Sequence, residues 1–439
     1  MSQEKDSRPE LSRPNLSRRA VIGAAATLPL VGALPQMAAA AETAAVSPGG
    51  IPITPFKIDI PQARLDYIMN RVRTAEWPDK PDVADAWAFG ASYDTMKDVV
   101  DHWLNKYDWR RQEAELNKLP QFKAKIDGYD IHFFHIKGSG KNPQPLMLIH
   151  GWPGSFIEFT RCLEQLTNPE KFGGSEDDAF SVVVPSLPGF AFSSKPPRPV
   201  TGQYISRLFD KLMVEGLGYK NYIAQGGDFG AGISIGMAAE SEHCKAAVVN
   251  FVIGVGSKAE NDEERAAQAQ WDKVYQTEGA YQHIQRTKPL SLAYGMSDSP
   301  IGTAAWLMEK YHTWSGIPDG NPWAIYPKSQ VLTIIMVYII TNSFGTSTWM
   351  YASGNRGAKA EPTEDTLQAR RPAVEKPTVG VIHFPTELVF WPKSFAERTY
   401  NLVYWADVAA GGHFAAFEQP MLFAREVRDF NQELKKRGI

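Results

Sequence analysis

The sequence contains only two cysteines, Cys162 and Cys244, among its 439 residues. They lie far apart and outside any C-x-x-C pattern, which argues against a disulfide framework and against a thiolate metal site. Free cysteine is among the residue types most often buried, so we expect two small buried thiols.

The sequence also lacks an excess of charge of either sign. It has 46 lysine and arginine residues against 49 aspartate and glutamate residues, a formal net charge of −3, and the charges are interspersed along the chain. Without a basic field, a nucleic-acid partner is not expected. The length exceeds that of most single cores, which favours one large α/β domain with insertions or two domains.

The N-terminal segment has no strongly apolar run of about 20 residues, the length that spans a bilayer. Residues 20–34 are uncharged but only mildly apolar, and they contain Gly23, Pro29 and Gly32. A membrane anchor is therefore disfavoured. No stable membrane span is expected in the mature protein.

The same segment resembles a twin-arginine export signal. Arg18 and Arg19 precede the uncharged run, and small residues at 37–41 offer a site for a signal peptidase. We predict that residues 1–41 are a signal peptide and that residues 42–55 are a linker. The protein is then exported from a bacterial cytoplasm, to the periplasm or the medium; a disordered cytoplasmic tail is the alternative.

Beyond the linker, the spacing of apolar residues divides the chain into four regions. Residues 56–120 are rich in tryptophan and show helical spacing. Residues 121–255 and 376–439 alternate short apolar runs with helical stretches, which predicts a mostly parallel sheet with helices on both faces. Between them, the helical and aromatic insertion at 256–375 is called the lid, because such insertions lie over the ligand-binding edge of the sheet. The predicted strands are 122–126, 131–136, 146–149, 181–184, 222–224, 248–252, 379–383 and 402–405.

The pattern Gly226-Gly227-Asp228-Phe229-Gly230 lies between a predicted strand and a helix rich in small residues. This is the glycine-x-nucleophile-x-glycine spacing of the sharp turn that exposes the nucleophile of α/β-hydrolases. We therefore predict an α/β-hydrolase fold with a helical lid and an N-terminal helical extension. Taken alone, the pattern could also be a glycine-rich turn with a capping aspartate.

An aspartate at this position determines the chemistry that we expect. Attack by serine on a saturated carbon would give an ether, which water cannot readily cleave, whereas attack by a carboxylate gives an ester. The ordinary pKa of aspartate is about 3.9, so the attacking step needs no base. Asp228 therefore predicts substitution at saturated carbon followed by hydrolysis of the ester.

Two further residues follow in the chain order of the fold, in which an acid and then a histidine come after the nucleophile. His413 lies in the loop after the last predicted strand, and Glu387 lies after the strand before it. We predict that His413 activates water and that Glu387 orients His413, with Asp407 as the alternative acid.

The loop that begins at His150 is expected to help to stabilise an oxyanion. In this fold, the backbone N–H groups of Trp152 and Phe229 are the natural donors to the negative charge that develops during ester hydrolysis. His150 itself is predicted to be a buried histidine that holds the loop.

These residues resemble the microsomal epoxide hydrolase family, which includes the juvenile hormone epoxide hydrolases. The resemblance runs from about residue 56 to the C-terminus and includes the family's N-terminal domain. The segments that carry it include HGWPGSFIEF, VVPSLPGFAFS, GGDFGAGIS and GGHFAAFEQP. Phe229 stands where tryptophan is common in the family, a change that a backbone donor tolerates.

The resemblance implies two lid tyrosines whose hydroxyl groups bind the epoxide oxygen. By local sequence they are Tyr281 and Tyr351, and Tyr338 lies near the second. A phenol with an ordinary pKa near 10 can protonate the leaving alkoxide without titrating at neutral pH.

The predicted function is hydrolysis of an apolar epoxide to a vicinal diol, with no metal ion and no organic cofactor. A haloalkane dehalogenase shares the fold, the aspartate and the histidine, but it commonly binds the halide with an indole beside the nucleophile, which Phe229 does not offer. A non-catalytic binding protein on the same fold is the other alternative. The aromatic residues of the lid indicate an apolar substrate; they are Trp271, Tyr281, Trp306, Trp314 and Trp323. The sequence leaves the particular epoxide open, and an oligomer is possible.

Overall fold

The computed structural model describes residues 49–252, 258–317, 320–353, 372–388 and 390–439. The predicted signal peptide at 1–41 lies outside the described residues. The strands are β1 Ile53–Pro55, β2 Gln121–Ile126, β3 Tyr129–Ile136, β4 Gln144–Ile149, β5 Phe180–Pro185, β6 Tyr222–Gly226, β7 Cys244–Val249, β8 Thr378–His383 and β9 Asn401–Asp407.

Helices occupy most of the remaining described residues. The α-helices are α1 Gln62–Arg73, α2 Tyr93–Asn105, α3 Trp109–Leu116, α4 Leu163–Thr167, α5 Gly202–Lys211, α6 Phe229–Glu240, α7 Asp262–Glu278, α8 Ala280–Thr287, α9 Pro289–Asp298, α10 Pro300–Thr313, α11 Lys328–Ile340, α12 Phe344–Ser347, α13 Trp349–Ala352, α14 Lys393–Thr399, α15 Ala415–Glu418 and α16 Pro420–Arg437. Short 3₁₀ turns lie at Phe156–Phe159, Pro169–Phe172, Glu176–Asp178 and Pro322–Ala324, and a π-helical turn at Leu212–Gly216 follows α5.

The strands form one mixed sheet in the order β1-β2-β3-β5-β4-β6-β7-β8-β9. Three neighbouring pairs are antiparallel, namely β1 with β2, β2 with β3 and β3 with β5. All the other neighbouring pairs, from β5 with β4 to β8 with β9, are parallel. Helix α6 packs against β6 and β7, while α4 and α16 pack against β5 and β9. Because both faces are covered, the parallel strands are apolar runs without alternation, and the predicted mostly parallel sheet is confirmed.

The hairpin predicted around residues 127 and 128 is confirmed. β2 pairs antiparallel with β3 up to the pair Ile126↔Tyr129. The two turn residues, Asp127 and Gly128, have φ angles of 48° and 85°. A two-residue turn with positive φ at both positions matches the twist of the flanking strands, which is why an Asp-Gly pair marks it in the sequence.

Two boundaries that were predicted from the sequence are wrong. Residues 53–55, assigned to the linker, form β1 and pair with β2 through Thr54↔Lys123. A short strand that ends in proline is tolerated there because only one of its sides needs hydrogen bonds. The strand predicted at 248–252 is instead β7, which ends at Val249; beyond this residue its partner β6 has already turned away at Gly226.

The helices predicted at 56–120 pack on the lid. Helix α1 contacts α10 and α11, and α2 contacts α11. The Arg64 guanidinium donates a hydrogen bond to the Ile339 carbonyl at 2.6 Å, and the Tyr107 hydroxyl lies 3.1 Å from the Thr333 hydroxyl. Helix α11 is therefore covered on several sides, which explains why apolar residues surround it without a polar face.

Among the described residues, no single helix is both long enough and apolar enough to cross a bilayer. Helices α11 and α12–α13 satisfy the length and composition criteria only when they are combined, and the pair is bent by 98°.

Cys162 and Cys244 are both buried, as the sequence predicts.

Candidate active site

Asp228 occupies the sharp turn between β6 and α6. Its backbone has φ 50° and ψ −129°, in the left-handed half of the map that side chains other than glycine rarely adopt. Glycines on either side make the turn possible. A Cβ on Gly226 would lie 2.2 Å from the Gly230 carbonyl, and a Cβ on Gly230 would lie 2.1 Å from the Ile149 oxygen. The strained backbone conformation of Asp228 costs about 1–3 kcal/mol, and the close packing around the two glycines holds it in place.

Two backbone N–H groups bind the Asp228 carboxylate. The Trp152 N–H donates to Oδ1 at 2.9 Å, and the Phe229 N–H, at the start of α6, also binds this carboxylate. The two donors come from the loops after β4 and β6, which are neighbouring parallel strands. Both predicted donors are thus brought to the carboxylate of the predicted nucleophile.

His413 lies between the two carboxylates that the sequence singled out. Its Nε2 is 3.6 Å from Asp228 Oδ2, and its Nδ1 is 2.7 Å from Glu387 Oε1. A carboxylate can only accept a hydrogen bond, so Nδ1 carries a proton and Nε2 faces Asp228. The Leu388 N–H donates to the same Glu387 oxygen at 2.9 Å, which fixes the acid.

The acid loop and the histidine loop are tied to each other and to the lid. The Thr386 hydroxyl donates to the Gly411 carbonyl at 2.8 Å. The His413 N–H donates to the carbonyl of Trp314, the residue directly after α10, at 2.9 Å. Rigid placement of the imidazole therefore depends on the lid as well as on the sheet.

Residues that were considered for other roles are engaged elsewhere. Asp407 lies 2.8 Å from His383 Nδ1 with a mostly exposed side chain, so it is not the partner of His413. His150 is buried, and its Nε2 accepts a hydrogen bond from the Leu187 N–H at 3.2 Å, as expected of a histidine that holds a loop. The Tyr338 hydroxyl donates to the Gly154 carbonyl at 2.7 Å.

A cavity of about 200 Å³ opens over Asp228, and both predicted lid tyrosines line it. Tyr281 on α8 and Tyr351 on α13 lie edge to face, with ring centroids 5.8 Å apart. The buried hydroxyl of Tyr351 has no hydrogen-bond partner of good geometry among the described residues. Asp228 and His413 line the same cavity, so all five predicted catalytic residues meet at one place.

The rings around the two tyrosines hold them in position. Trp152 stacks on Tyr281 with centroids 5.2 Å apart, and Phe229 lies edge-on to Tyr351 at 4.8 Å. Lys310 Nζ lies 4.5 Å above the Tyr281 ring and is itself buried. Nothing in the sequence distinguishes this lysine from other charged residues on the lid helices.

Burial and charge shift the pKa values in this site. Burial raises the pKa of Asp228, although His413 and the two N–H donors lower it in part. Burial disfavours the charged form of His413, but Glu387 and Asp228 outweigh it and raise the pKa to about 9. Burial, together with the Asp228 charge, raises the pKa of Tyr281 above its ordinary value, so its hydroxyl stays protonated at neutral pH.

Three of the five aromatic residues singled out in the lid line the cavity, namely Trp271, Tyr281 and Trp314. Trp306 instead donates a hydrogen bond from its indole to Gln285 at 3.0 Å, and Trp323 lies beneath the Lys328 ammonium. The remaining walls are mostly apolar and include Phe251, Val274 and Leu388.

Glu158 was missed at the sequence level. It is buried, its Oε1 accepts from the Ser155 N–H at 2.9 Å, and burial raises its pKa to about 8. The Ser-x-x-Glu spacing of Ser155 and Glu158 is a capping-box signal, which would have located the turn but not its closeness to the nucleophile.

The described part of the chain holds no group of three or more histidine, cysteine, aspartate or glutamate residues arranged to bind a metal ion.

Two family models match the chain. Residues 53–159 match the epoxide hydrolase N terminus, and residues 144–293 match the alpha/beta hydrolase fold.

Epoxide hydrolases from several organisms are similar in sequence over most of the chain. A putative epoxide hydrolase from Stigmatella aurantiaca is 38% identical over 87% of this chain and 86% of its own length. Epoxide hydrolase 1 from Sus scrofa is 33% identical over 86% of this chain and 88% of its own. The solved structure of an Aspergillus niger epoxide hydrolase is 30% identical, with a TM-score of 0.73, over 89% of this chain and 97% of its own.

Proposed function

The chain belongs to the epoxide hydrolase family and is a hydrolase that acts on epoxides, and from this premise we propose that Asp228 performs the reaction through a covalent ester. The observation that carries this assignment is the chain of contacts from Asp228 through His413 to Glu387 at the floor of a cavity whose wall holds two tyrosines. The names of the relatives favour this reaction over halide displacement and over binding without turnover.

In the first step, Asp228 Oδ2 attacks a carbon of the epoxide. A bond forms between this oxygen and the carbon, and the carbon–oxygen bond of the ring breaks. The epoxide oxygen takes the electron pair and, through the hydroxyl groups of Tyr281 and Tyr351, one proton. The charged His413 loses one proton as Asp228 is neutralised, so the step consumes no net proton and leaves both tyrosines protonated. Oδ2 is the attacking atom because Oδ1 is held by the Trp152 N–H group.

In the second step, water attacks Cγ of the ester. His413 Nε2 takes a proton from the water, and the oxyanion forms on Oδ1, which already accepts from the Trp152 N–H; the Phe229 N–H is a second donor to the same carboxylate. The bond between Cγ and Oδ2 then breaks, and the diol takes its proton from the imidazolium. The new Asp228 carboxyl returns a proton to His413, which restores the starting state.

The charge on His413 changes with the state of Asp228. The negative charge of Asp228 contributes to the raised pKa of His413 in the free enzyme. Formation of a neutral ester removes this charge, so the pKa of His413 falls when the residue has to act as a base. Glu387 keeps its contact with Nδ1 in both states and so keeps Nε2 directed at the ester.

Oxygen labelling tests the covalent route. With enzyme in excess over epoxide in ¹⁸O-water, the diol of the first turnover should contain no label, because its new oxygen comes from Asp228. The label should appear in the second turnover. If Oδ1 stays bound to the Trp152 N–H, nearly all of that diol is labelled; free rotation of the carboxylate would give about half. Label in the first-turnover diol would show direct attack by water instead.

The His413→Ala variant provides a second test of the same route. It should form the ester and fail to hydrolyse it, so that intact mass shows one adduct for each chain. The absence of any adduct would argue against His413 as the base of the second step.

The size and lining of the cavity support an apolar substrate. A volume of about 200 Å³ with walls of Phe251, Trp271, Val274 and Leu388 admits a small aryl, terminal or cyclic epoxide. Turnover measured over these three classes identifies the preferred one. Faster turnover of a charged epoxide would contradict this proposal.

We further propose that residues 1–41 direct export through a twin-arginine pathway. Replacement of Arg18 and Arg19 by lysine should retain the protein in the cytoplasm of a bacterial host, as measured by cell fractionation. Unchanged export of this variant would argue against the assignment.

A further inference from the structure

A second, smaller cavity lies against Asp228 and His413. Its volume is about 20 Å³, which is space for one water molecule. Whereas the large cavity is lined mostly by lid residues, this one is lined mostly by the loop after β4, the end of β6 and the residues that follow His413. Asp228 and His413 are the two residues that border both cavities.

The small cavity has polar groups that a buried water needs. Glu158, Gln225 and Asn250 line it together with His413. The Gln225 side-chain amide donates to Asn250 Oδ1 at 2.9 Å, while Gln225 Oε1 is buried and has no hydrogen-bond partner among the described residues. An unsatisfied buried acceptor costs about 1–3 kcal/mol, and an ordered water that donates to it removes this penalty.

The geometry of ester hydrolysis restricts where water can approach. In the ester, the alkyl group extends into the large cavity, and Oδ1 is occupied by the Trp152 N–H. Water must therefore reach Cγ from another side while remaining within reach of His413 Nε2. The small cavity borders Asp228 and His413 and remains open when the large one is filled.

We propose that the small cavity holds the hydrolytic water and that Glu158 and Gln225 are the positioning residues that present it to His413. This inference rests on the proposed two-step reaction. It assigns to Glu158 a role beyond its cap on the 3₁₀ turn Phe156–Phe159, in which only Oε1 is engaged by the Ser155 N–H.

Two variants perturb the cavity in independent ways. Glu158→Met keeps the length of the side chain but removes its polar atoms from the cavity, and Ala416→Val adds two methyl groups to the cavity wall. Ser155→Ala is the matched control, because it removes the other half of the same capping box and does not line the cavity. Thermal melting of each variant shows that it is folded.

Rapid-quench kinetics with the best substrate of the epoxide screen separates the two steps. In both cavity variants, ester formation should stay within about twofold of wild type, whereas ester hydrolysis should slow by roughly tenfold to a hundredfold, the usual effect of misplacing a reactant by about 1 Å. The adduct should then accumulate on intact mass. The control should change neither rate.

Three results would overturn the proposal. They are equal slowing of both steps in Glu158→Met, wild-type hydrolysis in Ala416→Val, and slowed hydrolysis in the Ser155→Ala control. Ala416→Val decides the matter if Glu158→Met does not fold. Failure of the two-step reaction itself would look different, because no ester would then form in the wild-type or the His413→Ala enzyme.

Discussion

Replacing His413 with alanine should change the number of protons that ester formation exchanges with the solvent. Opening the epoxide consumes one proton, because the alkoxide becomes a hydroxyl group. In the wild-type enzyme, His413 is charged before the step and loses its proton when Asp228 is neutralised. The two changes cancel, so no net exchange is expected, whereas His413→Ala should take up about one proton per active site.

The distances and the pKa of His413 give the size of the effect. With a pKa of about 9, the charged form of His413 outnumbers the neutral form by roughly thirtyfold at about pH 7.5. Nε2 lies 3.6 Å from Asp228 Oδ2. A unit charge about 4 Å away contributes about 4 kcal/mol at an effective dielectric constant near 20. Losing this interaction changes the protonation equilibrium by roughly a thousandfold, which is enough to make His413 mainly neutral in the ester.

Stopped-flow mixing in weak buffer with a pH indicator measures the exchange directly. Tryptophan fluorescence in the same mixing experiment reports ester formation, and Trp152 and Trp314, which surround Tyr281, are suitable probes. Calibration against added acid converts the indicator signal to protons per site. Uptake of about one proton by the wild-type enzyme would refute the reasoning, because His413 would then be neutral in the free enzyme or still charged in the ester.

Three further substitutions separate the two steps. Glu387→Gln keeps an acceptor for His413 Nδ1 but removes the charge. Hydrogen bonds to charged groups exceed neutral ones by about 1 kcal/mol, so ester hydrolysis should slow about fivefold in rapid-quench assays. Unchanged hydrolysis would contradict the role of the acid. Tyr351→Phe should slow ester formation by roughly a hundredfold without lowering the melting temperature, since its hydroxyl has no partner of good geometry; normal ester formation would exclude it as a donor. Lys310→Met removes a buried cation 4.5 Å above the Tyr281 ring, an interaction of about 2 kcal/mol, so ester formation should slow by up to thirtyfold; slower hydrolysis alone would argue against this.

The sharp turn at Asp228 could be predicted from the sequence because its constraint is local. Gly226 and Gly230 are required by contacts within five residues of Asp228 and with the neighbouring strand β4, so the spacing of the glycines carries the information. The Asp-Gly turn between β2 and β3 is local in the same sense. His413 and Glu387 followed from the order of the strands, which the apolar runs reveal.

The remaining features depend on contacts between distant segments. Tyr281 and Tyr351 are 70 positions apart, and only the family resemblance paired them; the structure brings their rings to 5.8 Å. Strand β1 is three residues long and forms only because it pairs with β2, about 70 positions later in the chain. The local sequence predicts Glu158 as part of a capping box. Its closeness to Asp228 depends on the packing of the loop after β4 against β6, which the local sequence does not show.

The two steps of the reaction need opposite surroundings for one carboxylate. Attack on the epoxide is favoured when Asp228 Oδ2 faces apolar walls, because a carboxylate surrounded by water is a weaker nucleophile. Hydrolysis needs a water molecule beside the same carbon. If this water shared the large cavity, it would compete with the substrate for space in the first step and be displaced by the alkyl group in the second. Placing Asp228 between an apolar cavity under the lid and a one-water polar cavity against the sheet avoids this conflict. The strained elbow serves this arrangement, because a regular helix or strand would expose the side chain to only one of the two sides.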